Sequence, residues 1–296
     1  MSEYRTSIGS CDADSITVLG QNLAGELMGR VSFGELAFWL VATRRPTPGQ
    51  LRVFEAVLVA LADHGFTPSA IAARLTLTGA PESIQGAVAA GLLGGGSRFL
   101  GVTEDCGRFL ADALAAAAAA GRPLPEGMSG WPAAGQAVPE DMSGWPAAGE
   151  PVPEEISRWD AIAGVAVRAR AGAGLLVPGL GHPVHKAGDP RTPALLRIAG
   201  EEGLRGPHLR LFEAVGRVHP AILGKTLPLN GAGVCGAALA DLGFPVDVLR
   251  GFALLARTAG LVGHLAEELR SPAGPGIYSQ TEHTVRYVSP PDPAES

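Results

Sequence analysis

The sequence predicts an all-α protein. Apolar residues recur at the three- and four-residue spacing of a helix face through most of the 296 residues, and no set of alternating strands is found. Alanine and glycine are abundant, and aromatic residues make up only 5% of the chain, a composition that favours closely packed helices. The length allows one large domain or two small ones.

The helices are predicted in order from the N-terminal end. The first covers Phe33 to Val41, where Ser32 fits an N-cap and Glu35 completes a capping box. After a proline-rich break, the same apolar spacing returns from Leu51 to Leu61. The segment Ile84–Leu93 is small and apolar on every side, which is typical of a helix buried among others. Further helices are predicted over residues 109–120, 156–171 and 246–269.

A proline- and glycine-rich repeat interrupts this pattern. The segment Pro125–Gly135 recurs as Pro139–Gly149, and a partial third copy follows. The period of 14 residues is shorter than the roughly 20 residues of a solenoid unit, and such a density of proline and glycine cannot hold a helix. We predict an exposed, mobile insert at 125–153. The alternative is a peptide-like interaction motif built on Trp131 and Trp145.

Composition excludes several classes of function. A net charge of -6 is atypical of nucleic-acid-binding proteins, which carry a basic patch. No apolar run reaches the roughly 18 residues of a membrane span, and the first residues lack the basic start and apolar stretch of a secretion signal. The three cysteines are far apart, as expected in a reducing compartment. We therefore expect a cytoplasmic protein with no nucleic-acid or membrane partner.

The loop from Gly179 to Arg191 is the most informative segment for function. His182 lies between glycine and proline, where the backbone turns tightly, and an imidazole is well suited to move a proton near neutral pH. Arg191 follows Asp189-Pro190 at a place that suits a helix start, and a guanidinium can grip a carboxylate with two hydrogen bonds. The pair predicts a site for an oxo acid or hydroxy acid. The alternative is a glycine-proline loop with a surface histidine.

Four blocks in the same order resemble the citrate synthase family. The segment Gly79–Ala87 is closer to the short citryl-CoA lyase branch than to full-length synthases. We predict a homodimer, because the helices Phe33–Val41 and Ile84–Leu93 carry little polar surface and would be buried against a second copy of the chain. The resemblance runs from about residue 28 to about residue 290, and it implies an all-α, citrate synthase-like fold. It further implies a discontinuous large domain, residues 1–93 and 226–296, and a smaller domain, residues 94–225, that includes the insert. The four blocks are Leu61–Ser69, Gly79–Ala87, Gly179–Arg191 and the C-terminal stretch that begins at Leu229.

The resemblance assigns roles to five residues. His182 matches the histidine that polarises the carbonyl of the oxo acid, or handles the hydroxyl proton in the cleavage direction. His64 matches a histidine that contacts the same ligand. Arg191 and Arg257 match arginines that clamp its carboxylates, and Arg270 stands for the third family arginine in a context that fits less well. We predict that the first four converge on one small dicarboxylate in a cleft between the domains.

The chain departs from the family pattern at two catalytic positions. Ala232 stands where the family has the aspartate that removes a proton from the carbon next to the thioester, and no acid lies between Asn230 and Ala240. An alanine cannot transfer a proton, and a positioned base contributes about 10²–10⁴ in rate. The family's first catalytic histidine is also missing, because the matching region, Gly94–Gly101, contains no histidine. Loss of that histidine is shared with the lyase branch.

Some assignments stay open at this point. Arg257 could instead form a salt bridge to Asp241 or Glu267. His185 occupies the place of a family aromatic or polar residue, and its role is undetermined. We expect His219 and His264 to have structural roles and not to contact the ligand.

Three functions fit these observations. The first is a citryl-CoA lyase-like enzyme that cleaves or forms the carbon–carbon bond between an acyl-CoA and a 2-oxo acid such as oxaloacetate. The second is a relative repurposed for another acyl-CoA or 2-oxo acid reaction, in which His182, His185 or a bound water replaces the missing carboxylate. The third is a non-catalytic protein that binds a dicarboxylate or a CoA thioester. The coenzyme A thioester would be a substrate, and we expect no cofactor and no metal.

Overall fold

The computed structural model describes residues 3–120 and 153–289, without the side chains of residues 153–157. The all-α class is confirmed, since helices dominate these two ranges. The predicted insert at 125–153 lies outside the described residues, except for its last residue. In the described ranges the helices are α1 Phe33–Ala42, α2 Pro48–Ala62, α3 Pro68–Gly79, α4 Ile84–Leu93, α5 Val102–Ala119, α6 Pro153–Gly172, α7 Arg191–Glu201, α8 Pro207–Leu223, α9 Gly231–Asp241, α10 Leu249–Glu268 and α11 Gly274–Thr284, with a π-helical turn at Leu23–Leu27 and a 3₁₀ turn at Val246–Val248.

Three short strands precede the helices, and the sequence analysis missed them. They are β1 Gly9–Cys11, β2 Ile16–Val18 and β3 Gln21–Asn22, and they pair as an antiparallel sheet in the order β1-β2-β3. Strands of two or three residues are too short for an alternating pattern to be recognised. They leave the fold class unchanged.

The predicted helix starts are confirmed where a capping residue was identified. Ser32 Oγ accepts a hydrogen bond of 3.0 Å from the Glu35 amide, so it caps α1 as expected. Helix α4 has the predicted bounds, but the expectation of burial on every side is wrong. Its first and last residues, Ile84 and Leu93, are exposed, and the buried residues are Ala87 and Gly91, because an apolar sequence permits burial on every side without requiring it.

The described chain divides into two compact units. The first comprises residues 1–61 and 97–253, and the second comprises residues 62–96 and 254–296. These bounds differ from the domain bounds 1–93, 94–225 and 226–296, which remain a prediction. None of the helices in the described ranges is both long and apolar enough to cross a membrane.

Four phenylalanines form the centre of one part of the first unit. Phe38, Phe54, Phe244 and Phe252 contact one another with ring centroids 4.4–5.5 Å apart, mostly edge to face. Such pairs stabilise a core beyond the area that they bury. They join α1 and α2 to the segment before α10, which contains Phe244, and to the first turn of α10, which contains Phe252.

In the second unit α3 packs against α4 and α11. Its core consists of Ala73, Leu77, Ala87, Leu261 and Leu265, all nearly or fully buried. The side chain of Arg74 is also completely buried, and it is the largest fully buried residue of the described chain. A buried arginine must be paired, and its partners are described below.

Candidate functional site

The loop that carries His182 is fastened to the start of α9. The Gly181 amide donates to Pro228 O at 2.7 Å, and the Asn230 amide donates to Gly179 O at 2.9 Å. Asn230 also caps α9 through Oδ1, which accepts from the Gly233 amide, while its Nδ2 donates to Gly181 O at 2.8 Å. One asparagine therefore fixes both the helix and the loop.

Two glycines of the loop have backbone angles that favour glycine. Gly179 and Gly181 have φ of +86° and +84°, in the left-handed region that side chains rarely adopt. A Cβ on Gly233 would lie 2.6 Å from Gly179 Cα. Gly233 is therefore required, because the loop approaches α9 too closely at this point for a side chain.

The hydrogen bonds around His182 define its tautomer. Its Nδ1 accepts from the backbone amides of Val184 at 3.1 Å and His185 at 2.9 Å. An imidazole nitrogen that accepts hydrogen bonds carries no proton, so in the neutral ring the proton lies on Nε2. The His182 ring therefore offers an N–H donor, which is the group needed to polarise a carbonyl oxygen.

His185 lies directly against His182. The two ring centroids are 4.5 Å apart and the rings are inclined by 32°. His185 is half-buried, whereas the flanking residues Val184 and Lys186 are exposed. The loop thus places two imidazoles side by side.

Arg191 forms a bidentate ion pair with Asp189, a partner that the sequence analysis did not identify. Arg191 Nε donates to Asp189 Oδ1 at 3.0 Å and Nη2 donates to Oδ2 at 2.7 Å. Oδ2 also accepts from the Gly231 amide at 2.7 Å. Burial by itself raises the pKa of Asp189, but the hydrogen bonds from Arg191 and Gly231 outweigh it and hold the pKa well below its usual range. Asp189 is therefore a poor general base.

We expect this ion pair to make stability depend on pH. Asp189→Asn keeps one oxygen but turns an amide donor toward the donors of Arg191 and Gly231, so at pH 7 it should lower the free energy of unfolding by about 2 kcal/mol. Because the folded pKa of Asp189 lies below its ordinary value of 3.8, the contribution is present above that value and is lost as the pH falls further.

Urea unfolding of the wild type and the variant at pH 7 and pH 3 measures this effect. The difference between the two proteins should shrink at pH 3. The control is Asp247→Asn, whose carboxylate is 77% exposed in its pair with Arg108, and it should change stability little at either pH. An unchanged difference for Asp189→Asn at pH 3 would contradict this assignment.

Ala232 lies in the first turn of α9 and is half-buried. The carboxylate of Asp189 accepts a hydrogen bond from the amide of the preceding residue, Gly231, but it is already paired with Arg191. One turn further, Cys235 is fully buried, and burial raises the pKa of its thiol to about 12. A thiol with so high a pKa does not replace the missing acid as a base or nucleophile.

His64 lies in the second unit, half-buried in the loop between α2 and α3. The preceding residue, Asp63, accepts from the Gly65 amide at 2.8 Å and contacts Nε2 of His264 at 2.8 Å. Nδ1 of His264 lies 2.9 Å from Nη2 of Arg74 and accepts from its Nε at 3.2 Å. The loop with His64 is therefore tied to α3 and α10 by a continuous chain of hydrogen bonds.

Arg74 forms a buried ion pair with Glu268. Arg74 Nη1 donates to Glu268 Oε2 at 2.6 Å, and Glu268 Oε1 accepts from the Gly274 amide at the start of α11. Arg74 also pairs with Glu267 and stacks on Phe66, with its guanidinium carbon 4.7 Å from the ring centroid. The pair links α3, α10 and α11.

Arg257 and Arg270 have different environments within the second unit. Arg257 is 4% exposed, and its Nη1 donates to Thr67 Oγ1 at 3.3 Å. Thr67 caps α3 next to the loop with His64. Arg270 is exposed after the end of α10.

The predicted ligand residues fall in both units. His182 and Arg191 lie in the first, whereas His64, Arg257 and Arg270 lie in the second. That they bind one dicarboxylate remains a prediction. The structural expectation for His219 agrees with its contacts, because both ring nitrogens are engaged, by Val215 O and by the Leu227 amide.

Comparison with known proteins confirms the family resemblance. Residues 147–275 match the family described as citrate synthase, C-terminal domain. The structure is similar to that of citryl-CoA lyase from Hydrogenobacter thermophilus, with 28% identity, a TM-score of 0.74 and coverage of 99% of this chain and 98% of that chain. No curated protein matches the chain in sequence.

More distant structures share the fold. ATP citrate lyase from Methanosaeta concilii, in a variant that holds (3S)-citryl-CoA, has a TM-score of 0.70 at 20% identity; the match covers 100% of this chain and 43% of the other. Citrate synthase from Thermotoga maritima has a TM-score of 0.60 at 18% identity, over 88% of this chain and 59% of that chain. The chain thus shares its fold with structures of citryl-CoA lyase, ATP citrate lyase and citrate synthase.

Proposed function

We propose that this chain, whose fold is citrate synthase-like, is a citryl-CoA lyase-like enzyme. It cleaves a 3-hydroxy-3-carboxyacyl-CoA to an acyl-CoA and a 2-oxo acid such as oxaloacetate, or runs the reverse reaction. The observation that carries the proposal is the His182 ring, whose tautomer is set by two backbone amides so that Nε2–H can donate. Similarity to a citryl-CoA lyase over almost the whole chain supports it.

The chemistry of cleavage follows from that donor. The oxygen that is a hydroxyl in the substrate becomes the carbonyl oxygen of the oxo acid, and negative charge builds up on it as its proton leaves. A preorganised N–H donor stabilises that charge more than water does, because it needs no reorganisation. The electron pair of the broken carbon–carbon bond moves into the thioester as an enolate, which is then protonated at carbon.

Arg191 and Arg257 would bind the carboxylates of the oxo acid. Arg191 donates through Nε and Nη2 to Asp189 and through Nη1 to Ala60 O, and its side chain stays 21% exposed. Each terminal nitrogen therefore keeps one N–H that can donate to a carboxylate of the oxo acid. Arg257 is fixed beside the loop with His64. A charge-assisted, bidentate contact from either would supply binding energy and orientation.

The alternative is a repurposed or non-catalytic relative, and Ala232 favours it. The side chains proposed to bind the oxo acid are present in the chain, whereas an alanine stands where the family has its catalytic base. Such a protein would bind a dicarboxylate or CoA thioester with no turnover of citryl-CoA.

We also propose a homodimer, because Phe33, Ile84 and Leu93 are exposed apolar side chains. Light scattering at micromolar concentration should give about twice the chain mass of 30.2 kDa.

Product analysis separates these functions. Purified protein is offered citryl-CoA in one incubation and acetyl-CoA with oxaloacetate in another, and products are identified by mass spectrometry. Acetyl-CoA and oxaloacetate from the first mixture indicate a lyase, and citrate or citryl-CoA from the second indicates synthesis. No product in either would reject the lyase and favour the binding protein.

A further inference from the structure

We propose that His185 is the general base that takes the hydroxyl proton in the cleavage reaction, while His182 donates a hydrogen bond to the same oxygen. The inference rests on the proposed function and adds a second residue to it. The loop positions both imidazoles, and nothing in the family resemblance assigned a role to His185.

His182 cannot be the base that takes the hydroxyl proton. Two backbone amides donate to its Nδ1, so in the neutral ring Nε2 already carries a proton. Nε2 can then donate to the substrate oxygen but has no lone pair for its proton. A second group must accept the proton for the oxygen to become a carbonyl.

The nearest acidic positions of the first unit cannot accept the hydroxyl proton either. Position 232 is alanine, and no carboxylate lies between Asn230 and Ala240. Asp189 is buried with both oxygens engaged by Arg191 and Gly231. Cys235 is fully buried. These three positions therefore offer no proton acceptor at the start of α9.

His185 lies where it can accept the hydroxyl proton. Its ring lies against the His182 ring at a centroid distance of 4.5 Å. A ring nitrogen of each residue lies within 4.8 Å of the other, a distance that one oxygen hydrogen-bonded to both nitrogens can bridge. Its backbone amide is one of the two donors to His182 Nδ1, which couples the two rings through one turn of chain. An imidazole accepts and returns protons near neutral pH. Beside it, the ammonium of Lys186 is exposed.

The proton balance closes without another reactant. The proton moves from the substrate hydroxyl to a His185 ring nitrogen, and the O–H electron pair forms the carbonyl. The carbon–carbon bond pair becomes the enolate of the acyl-CoA. The His185 imidazolium then returns the proton to the enolate carbon, directly or through water, which regenerates the neutral ring.

The test uses His185→Phe, which keeps an aromatic ring against His182 but cannot accept a proton. We expect citryl-CoA cleavage to fall by about 100-fold, while the dissociation constant for oxaloacetate changes less than threefold. His185→Asn, with a smaller polar side chain, should show the same loss and guards against a folding defect of the first variant. A loss of less than tenfold in both variants would overturn the inference and leave the lyase function intact.

A second measurement does not need turnover. In protein with ¹⁵N-labelled histidine, binding of malate, a hydroxy acid, should shift the ring nitrogen resonances of His185. Succinate, which lacks the hydroxyl, should not shift them. If the wild type cleaves nothing, the proposed function fails, and this comparison alone decides whether His185 contacts a hydroxyl. Equal responses to malate and succinate would overturn the inference.

Discussion

Replacing Arg74 by leucine should lower the free energy of unfolding by about 3–5 kcal/mol. The substitution leaves Glu268, whose side chain is 4% exposed, as a buried carboxylate without its cation. Breaking a buried pair from one side has that cost, because the remaining charge is neither hydrated nor compensated. The hydrogen bond from Arg74 to His264 and the stack on Phe66 are lost as well.

Two further variants make this expectation specific. Arg52→Leu removes an arginine that is 48% exposed and bonded to Glu201 and Glu202, so it should cost less than about 1 kcal/mol. The double variant Arg74→Leu/Glu268→Leu removes both buried charges and should be more stable than Arg74→Leu alone. Denaturant unfolding of the four proteins measures these differences. Similar losses for Arg74→Leu and Arg52→Leu would contradict the buried ion pair.

Replacing His182 by asparagine should reduce citryl-CoA cleavage by at least about 100-fold. The asparagine oxygen can still accept from the Val184 and His185 amides, as Nδ1 does in the wild type, so the loop should keep its shape. What is lost is the Nε2–H donor, and removing one donor to a developing oxyanion costs about 10²–10³ in rate.

The matched control is His283→Asn on α11, an exposed histidine that bonds within its own helix. It should retain full activity. The melting temperature of both variants should stay close to that of the wild type. A His182→Asn protein that cleaves citryl-CoA within threefold of the wild-type rate would show that the reaction proceeds without this donor.

Helices α1, α2 and α4 were predictable because their pattern is local. Apolar spacing gave α1, α2 and α4 nearly to the residue, and Ser32 marked the start of α1. The histidine and arginine of the 179–191 loop were recognised for the same reason, since their motif is contained in 13 consecutive residues.

The long-range contacts of Asp189 and Arg74 could not be predicted, because the residues that form them are distant in sequence. Asp189 bonds to the amide of Gly231, 42 residues away, and Arg74 bonds to Glu268 across 194 residues. No periodicity relates such positions. Asp189 was interpreted only as part of an Asp-Pro helix start. The tautomer of His182 depends on the conformation of its loop, which the sequence does not reveal.

The proposed function requires that this chain breaks a carbon–carbon bond in a CoA thioester at the loop with His182. The time course of citryl-CoA incubated with catalytic amounts of wild-type protein, with acetyl-CoA and oxaloacetate quantified together, tests this requirement. We predict equal release of the two products at a rate that is proportional to protein and well above the rate in buffer. Citryl-CoA that stays intact, or that is hydrolysed to citrate and free coenzyme A, would contradict the claim.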